Sequence, residues 1–282
     1  MKKEKNMKIS PILTLQKSQM TAGLSAYDVR HTDFAELSDP VISMTHFFMS
    51  QPTFPPHPHA GFSAITYMLE TSANGFYNRD SLGNESPIHP GDLHWTMAGR
   101  GVMHEEVPLR NGIPAEGLQI FINLKERNKM IAPRAFHVTS AEAPCLKDEG
   151  LTIKVVSGSY GQAAAAFQPP EPVQILDIKV QGDGALKVGE NQGGLIYAYQ
   201  GALQFETDAG WRPLQQHQTF AFHTEEAGSL NLKAAAEARL ILLSGTPIHE
   251  PVIARGPFIM TSYEALRDAE RRFRAGEMGL LE

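Results

Sequence analysis

The chain has 282 residues, which is enough to bury one large hydrophobic core or two smaller ones. Its hydrophobic fraction of 42% and charged fraction of 20% are typical of a globular protein, and its net charge of −6 excludes nucleic acid or an anionic membrane as an electrostatically driven partner. The single cysteine, Cys145, excludes a disulfide framework and a thiolate metal site. No run reaches the roughly 18 apolar residues of a membrane-spanning helix, so we expect a cytoplasmic location.

The first half of the chain is predicted to form short strands separated by turns. Segments rich in β-branched and aromatic residues alternate with turn signals such as Pro90-Gly91-Asp92, where glycine adopts the positive φ that other residues resist. The predicted strands are 41–48, 62–69, 76–80, 93–97, 102–107 and 117–124. This spacing predicts a β-barrel or sandwich over residues 8–140.

The second half repeats this pattern and then changes character. Its predicted strands are 151–157, 173–180, 185–188, 195–200, 202–206, 219–222, 229–234 and 238–245. Residues 261–264 then have the form of a helix capping box. The helical stripe that follows, ending at Gly276, consists of Ala265, Leu266, Ala269 and Phe273. The sequence therefore predicts an all-β protein of two successive barrels, with the second domain at 150–282 and a short C-terminal helix.

Two short motifs in the first barrel carry metal-binding residue types at strand spacing. His57 and His59 are two positions apart, and so are His104 and Glu106, whereas Glu105 lies between the latter two. Because alternate side chains of a strand point to the same face, each pair shares a face and Glu105 points away. If the two strands meet across a barrel, three imidazoles and one carboxylate converge on a site for a first-row divalent metal.

Other polar residues are weaker ligand candidates. Glu70 differs in strand parity from the His57 pair, His89 precedes a turn, and His94 is expected on the strand face opposite the ligands.

An aromatic ligand would need an apolar slot beside the metal. From adjacency and strand parity, the expected pocket residues are Phe54, Phe62, Trp95, Met97 and Met103.

Four segments of the chain resemble the pirin family, a branch of the cupins. They are HPHAGFSAITYMLE at 57–70, DSLGN at 80–84, PGDLHWTMAGRGVMHEE at 90–106 and GLQIFINL at 117–124, and the tail from EPVIARGPFIM through AGEMG is similar to the pirin C-terminus. The resemblance implies two tandem cupin (jelly-roll) barrels, a metal in the N-terminal one and a degenerate C-terminal one. By position in the motifs, the family's ligands fall on the same four residues that strand geometry selects.

The chain departs from the pirin pattern at three positions. Ala60 stands where arginine is common, His94 where glutamine is frequent, and Thr71 where glycine is usual. None of these is a predicted ligand, so the departures bear on the pocket wall and on the substrate rather than on the metal.

The resemblance implies a quercetin (flavonol) 2,3-dioxygenase that opens the flavonol ring with O2 and releases CO. Glu106 would be both a ligand and the base that takes the flavonol 3-hydroxyl proton. Fe(II) is favoured, while Mn, Co, Ni, Cu or Zn also suit nitrogen and carboxylate donors. Two alternatives remain open: a non-catalytic regulator whose metal senses redox state and which binds a protein partner, and a cupin isomerase that needs no O2.

Overall fold

The computed structural model describes residues 7–281, and they form twenty-five strands and one α-helix. The strands before residue 140 are β1 (Met7–Ile9), β2 (Leu13–Thr14), β3 (Ser18–Thr21), β4 (Leu24–Arg30), β5 (Val41–Met49), β6 (His57–His59), β7 (Phe62–Met68), β8 (Phe76–Asp80), β9 (Glu85–Ile88), β10 (Leu93–Met97), β11 (Val102–Pro108), β12 (Ala115–Asn123) and β13 (Arg134–Val138). Short 3-10 helices occupy His31–Asp33, Ala35–Ser38 and Glu126–Asn128.

The later elements complete the count. They are β14 (Cys145–Asp148), β15 (Leu151–Ser157), β16 (Ser159–Tyr160), β17 (Ala163–Ala164), β18 (Val173–Val188), β19 (Gln192–Gln200), β20 (Leu203–Thr207), β21 (Gly210–Leu214), β22 (Gln218–Thr224), β23 (Gly228–Gly245), β24 (Ile253–Arg255), β25 (Phe258–Met260) and α1 (Tyr263–Arg274). The predicted all-β fold with one C-terminal helix is confirmed.

The described residues form two compact units, and each unit is made of three separate stretches of the chain. The first barrel unit comprises 17–29, 42–141 and 248–281, and the second barrel unit comprises 7–16, 30–41 and 142–247. This grouping differs from the predicted consecutive domains, 8–140 and 150–282. Strands β1 and β2 pair with β22 in the second unit, and the terminal helix belongs to the first unit. Such non-local pairing leaves no local signature in the sequence.

The first barrel unit contains a seven-stranded sheet and a four-stranded sheet. Their strand orders are β13-β10-β7-β12-β5-β4-β3 and β6-β11-β8-β9. In the larger sheet, Thr66 of β7 lies opposite His94 of β10 and Gln119 of β12. Because neighbouring residues of a strand face opposite ways, these three share one face, while Ile65 and Trp95 share the other.

The second barrel unit is built on a ten-stranded sheet that includes β22-β19-β23-β18-β15 in that order. The predicted strand pairs 173–180 and 185–188, and 229–234 and 238–245, are the continuous strands β18 and β23, whose pairing shifts register between Val180 and Gly182. This unit has one large cluster of buried hydrophobic residues. It includes Ile153, Val155, Leu176, Ile178, Ile196, Phe205, Phe220, Leu240 and Leu242.

Helix α1 starts within the predicted segment, but its N-cap is Ser262 rather than Thr261, so Ala265 stands three residues on and the reciprocal Glu264 bond of a capping box is not formed. The Ser262 hydroxyl accepts a 3.1 Å hydrogen bond from the backbone N–H of Ala265, which satisfies one of the free donors of the first turn. Leu266 and Ala269 are buried, whereas Phe273 of the predicted stripe is 39% exposed. Neither α1 nor any other helix within residues 7–281 has the length and apolarity needed to cross a membrane.

Candidate metal centre

The two predicted ligand motifs lie on paired strands. Strands β6 and β11 are antiparallel, with His57 opposite His104 and His59 opposite Val102. β6 is the edge strand of its sheet, a position where the Pro58 between the histidines is tolerated because edge strands leave N–H groups unpaired. Strand alternation therefore brings all three histidines to one face, as the spacing predicts.

The three imidazoles are close enough to share one ion. One ligand nitrogen from each of His57, His59 and His104 lies within 4.8 Å of the other two, and within residues 7–281 this is the only such group of three or more His, Cys, Asp or Glu. The Nε2 atoms of His57 and His104 are 3.1 Å apart. Two nitrogens bound at right angles, each about 2.1 Å from an ion, would be separated by about 3.0 Å. The spacing fits two neighbouring ligands of one metal.

Hydrogen bonding fixes the orientation of His57. Its Nδ1–H donates to the carbonyl of Pro55 at 3.0 Å, so the proton sits on Nδ1 and the lone pair on Nε2 faces the cluster. A histidine ligand commonly has its second nitrogen held in this way. The Nδ1 atoms of His59 and His104 are buried without a hydrogen-bond partner among the described residues. In His104 this nitrogen is not the one that faces the cluster, because its Nε2 is the atom that approaches His57.

Burial keeps the imidazoles neutral. Desolvation and the neighbouring His57 lower the pKa of His59 to about 3, and desolvation together with His59 and His57 lowers the pKa of His104 well below its usual value. The pKa of His57 is lowered as well, chiefly by burial. A metal binds the neutral form of histidine, so at pH 7 these side chains are in the state that ligation requires.

Glu106 lies on the same strand face as His104, two residues on. Its Oε2 accepts a 2.8 Å hydrogen bond from the hydroxyl of Thr66, and its Oε1 is buried without a hydrogen-bond partner among residues 7–281. Burial raises the pKa of Glu106 to about 7, against the lowering effect of Thr66. The carboxylate is not one of the cluster within 4.8 Å, which contains only the histidines. Glu105 faces the other way, as expected, and pairs with Arg79 at 2.7 Å.

The C-terminal segment of the first barrel unit, at residues 257–259, is hydrogen-bonded to the residue that follows β6. Ile259 donates its backbone N–H to the carbonyl of Ala60 at 3.0 Å, and Ala60 donates to the carbonyl of Pro257 at 3.3 Å. Gly61, at φ 85°, passes so close that an added Cβ would lie 1.9 Å from the Ile259 oxygen. The buried Lys129 ammonium donates to the Gly61 carbonyl at 2.7 Å. Strand pattern alone did not predict this support, because its partners are about 200 residues away from the motif.

Two of the expected pocket residues lie beside the histidines. The ring of Phe62 is 5.2 Å from that of His59, and the ring of Phe54, which is 45% exposed, is 6.1 Å from that of His57. The structure adds Phe121, which sequence reasoning missed, with its ring 5.7 Å from that of His59. Phe121 lies two residues after Gln119 and two before Asn123, so the available signal was the strand face that it shares with these polar residues of β12.

The other three expected pocket residues face away from this site. Trp95 and Met97 share a face with Ile65, opposite to the face of Thr66 that meets Glu106, and Met103 alternates with His104. His94, expected on the far face, is on the Thr66 face instead. The phase was misread because all five residues of β10 are buried, so hydrophobicity does not distinguish its two faces. Glu70 and His89 are exposed, in keeping with their exclusion as ligands.

The chain matches two family models and several known proteins. The Pirin model matches residues 16–122, and the model of the pirin C-terminal cupin domain matches residues 175–279. A Pseudomonas aeruginosa protein, named provisionally as a quercetin 2,3-dioxygenase, is 31% identical over 259 residues, covering 87% of this chain and 88% of its own.

Two solved structures have the same fold. A quercetin 2,3-dioxygenase from Acinetobacter baumannii aligns with a TM-score of 0.86 at 24% identity, covering 98% of this chain and 99% of its own. A bacterial pirin from Escherichia coli in complex with nickel(II) aligns with a TM-score of 0.64 at 17% identity, covering 85% and 100%. At these identities the two structures establish the fold alone. Together with the family models, they lead to one conclusion: the chain belongs to the pirin family and has two tandem cupin barrels.

Proposed function

We propose that this chain is a metal-dependent dioxygenase that opens the ring of a quercetin-type flavonol with O2 and releases CO. The observation that carries the proposal is the convergence of His57, His59 and His104 beside a buried carboxylate, Glu106, in the first barrel unit. The likeness to proteins named quercetin 2,3-dioxygenase supports the same reaction class.

The donor set favours an anionic oxygen substrate. A divalent ion bound by three neutral imidazoles and one carboxylate has a residual charge of about +1, which an enolate or phenolate oxygen would neutralise. The bound ion would act as a Lewis acid and offer open positions to substrate and O2. Fe(II) is the ion that we propose, although nitrogen and carboxylate donors also accept Mn, Co, Ni, Cu or Zn, and the solved Escherichia coli pirin is a complex with nickel(II).

Glu106 is proposed to accept the proton of the flavonol 3-hydroxyl. A general base has to lie within hydrogen-bond reach of the proton that it takes, and the buried Glu106 carboxylate has one oxygen without a hydrogen-bond partner within residues 7–281. Thr66 holds one carboxylate oxygen, which leaves Oε1 to receive the proton. The rings of Phe62 and Phe121 are proposed to contact the flat aromatic ligand, with Phe54 near the entrance.

The test combines elemental analysis with an oxygen assay. Purified protein is analysed for metal, reconstituted with Fe(II), Mn(II), Co(II), Ni(II), Cu(II) or Zn(II) in turn, and mixed with quercetin under air and under nitrogen. We expect stoichiometric O2 uptake and CO release that depend on the metal. His104→Ala, treated identically, is the background control. Metal-loaded protein that consumes no O2 with any of these ions would refute the enzymatic proposal and favour the non-catalytic, redox-sensing regulator with a protein partner.

A cytoplasmic location is proposed as the setting of this activity. The basis is the lone Cys145, which is exposed and unpaired, because exposed free thiols persist in reducing compartments.

A further inference from the structure

Two buried polar side chains in the first barrel unit are not among the proposed metal ligands. His94 of β10 is 2% exposed and Asn78 of β8 is fully buried. Within residues 7–281, neither ring nitrogen of His94 and neither the amide nitrogen nor the amide oxygen of Asn78 has a hydrogen-bond partner. Most buried polar atoms are hydrogen-bonded, because an unsatisfied one loses its bonds to water without compensation. Four unsatisfied atoms on two side chains therefore indicate that something else completes their bonding.

The strand register indicates that both side chains point into the interior of the first barrel unit. His94 lies opposite Thr66 in the pairing of β10 with β7, and Asn78 lies opposite Glu106 in the pairing of β8 with β11. Paired residues of neighbouring strands point to the same face of their sheet. The hydrogen bond from Thr66 to Glu106 joins these two faces, so His94 and Asn78 look into the space that contains the candidate base.

The chemistry of the pair favours a neutral hydroxyl group. Burial and the neighbouring His137 lower the pKa of His94 to about 4, so its ring is neutral at pH 7 and offers one donor and one acceptor. The Asn78 amide offers two donors and an acceptor oxygen. A hydroxyl can donate and accept at once, whereas an anion would meet the negative charge of Asp80, which acts on His94 electrostatically.

We propose that His94 and Asn78 form a subsite that recognises a phenolic hydroxyl of the ligand other than the one bound at the metal. The ligand class rests on the proposed function. The subsite further predicts that the ligand is an aromatic compound with at least one hydroxyl group besides the one at the metal. A site built to bond a hydroxyl rejects an analogue that lacks it, because its own polar atoms are then left unpaired. His94 is thus a specificity-determining residue for the second hydroxyl of the ligand.

The test compares two flavonols by binding rather than by turnover. Quercetin and 3-hydroxyflavone share the 3-hydroxyl and the 4-carbonyl, but 3-hydroxyflavone lacks every other hydroxyl. Their dissociation constants are measured by calorimetry under nitrogen with Ni(II)-loaded protein. We expect the wild type to prefer quercetin by about tenfold. His94→Phe should lower that preference to about twofold while leaving the affinity for 3-hydroxyflavone unchanged.

Two further variants make the result interpretable. His89→Phe changes an exposed histidine nearby in sequence and should keep the tenfold preference. Asn78→Leu, close in shape to asparagine, should lower it as His94→Phe does, and it carries the test if His94→Phe does not fold. Equal binding of both flavonols by the wild type, no binding of either, or an unchanged preference in the folded His94 and Asn78 variants would overturn the subsite.

The two proposals fail separately. Hydroxyl-dependent binding without O2 uptake by any metal form would remove the dioxygenase reaction and leave the subsite. O2 uptake with an unchanged preference in His94→Phe would leave the reaction and remove the subsite.

Discussion

The Thr66 hydroxyl donates a 2.8 Å hydrogen bond to Oε2 of Glu106 and so ties the seven-stranded sheet of the first barrel unit to its four-stranded sheet. Within residues 7–281 it is the hydrogen-bond donor to this buried carboxylate, whose other oxygen is unpartnered. A carboxylate held at one oxygen has a fixed orientation. Thr66 is therefore a positioning residue for the proposed ligand and base.

Thr66→Val keeps the shape of the side chain and removes this hydrogen bond. We expect metal affinity to fall by about tenfold, the lower end of what losing a group that orients a ligand costs. Thr66→Ser retains the hydroxyl and should stay within about twofold of the wild type. Competition with a chelator measures both. An unchanged affinity in the valine variant would mean that Glu106 is oriented by something other than Thr66.

His104→Ala should abolish metal loading while the fold persists. The substitution removes one of three converging imidazoles and its 3.1 Å contact with His57, but it also removes a buried nitrogen that has no hydrogen-bond partner within residues 7–281, which offsets part of the lost stability. Elemental analysis of the purified variant should give less than about a tenth of the wild-type metal content, since affinity falls steeply when a ligand is removed. The exposed His89 provides the control, because His89→Ala should keep the full content. Stoichiometric metal in His104→Ala would show that the ligand set is different.

Glu106→Gln separates binding from chemistry. The amide can still offer an oxygen to a cation, so we expect part of the metal to remain, but it cannot take up the substrate proton. Turnover of quercetin, corrected for bound metal, should fall by at least about a hundredfold, the usual contribution of a general base. Wild-type turnover per metal in this variant would remove Glu106 as the base.

The convergence of the three histidines could be predicted from sequence because its signal is independent of hydrophobicity. The i, i+2 spacing of the histidines and of His104 and Glu106 fixes which side chains share a face in any extended strand. The start of the helix was predicted to within one residue, since a cap was expected over residues 261–264 and the N-cap is Ser262, whose hydroxyl accepts from the backbone N–H three residues on.

Two features could not be predicted from the sequence: which face of a buried strand points toward the site, and which distant segments of the chain pair. Every residue of β10 is buried, so burial does not show which of its two faces points toward the site. One choice places Trp95 on that face and the other places His94 there. The support of β6 by Pro257 and Ile259, and the membership of β1 in the second barrel unit, depend on contacts between distant parts of the chain. No local preference encodes such contacts.

The close approach of Gly61 to Ile259 predicts a large difference between two otherwise similar glycines. Gly61 and Gly83 have almost the same dihedral, φ 85° and 86°, but an added Cβ would meet the Ile259 oxygen at 1.9 Å in the first case and nothing within 4 Å in the second. Gly83→Ala should therefore cost only the left-handed strain of about 1 kcal/mol. Gly61→Ala adds a backbone collision and should cost about 3 kcal/mol or more.

Urea unfolding of the first barrel unit measures both costs. Trp95 lies in that unit and Trp211 in the other, so fluorescence in a Trp211→Phe background reports on the first unit alone; Trp211 is 41% exposed, which makes its replacement mild. Equal losses for Gly61→Ala and Gly83→Ala would contradict the packing of the C-terminal strand against β6.

The buried His94 predicts how stability depends on pH. Its pKa is about 4 when folded, lowered by burial and by His137 and raised slightly by Asp80, against 6.5 for an exposed histidine. Between pH 6.5 and pH 4 the unfolded chain therefore binds a proton at this position that the folded chain does not, so stability falls as the pH is lowered through this window. The loss attributable to His94 is about 3 kcal/mol once the pH has fallen to 4.

His94→Gln removes this titrating imidazole. The cluster histidines, whose pKa values are also lowered in the folded protein, remain. Unfolding free energies of the metal-free protein, followed at Trp95 in the Trp211→Phe background, should therefore fall less steeply in the variant than in the parent between pH 6.5 and 4, and the two curves should run parallel above pH 7. Parallel curves over the whole range would mean that His94 gains protons equally well in the folded and unfolded states. It would then be in contact with water or with an acidic group, and its ring nitrogens would not be the buried, unpartnered donor and acceptor from which the hydroxyl subsite is argued.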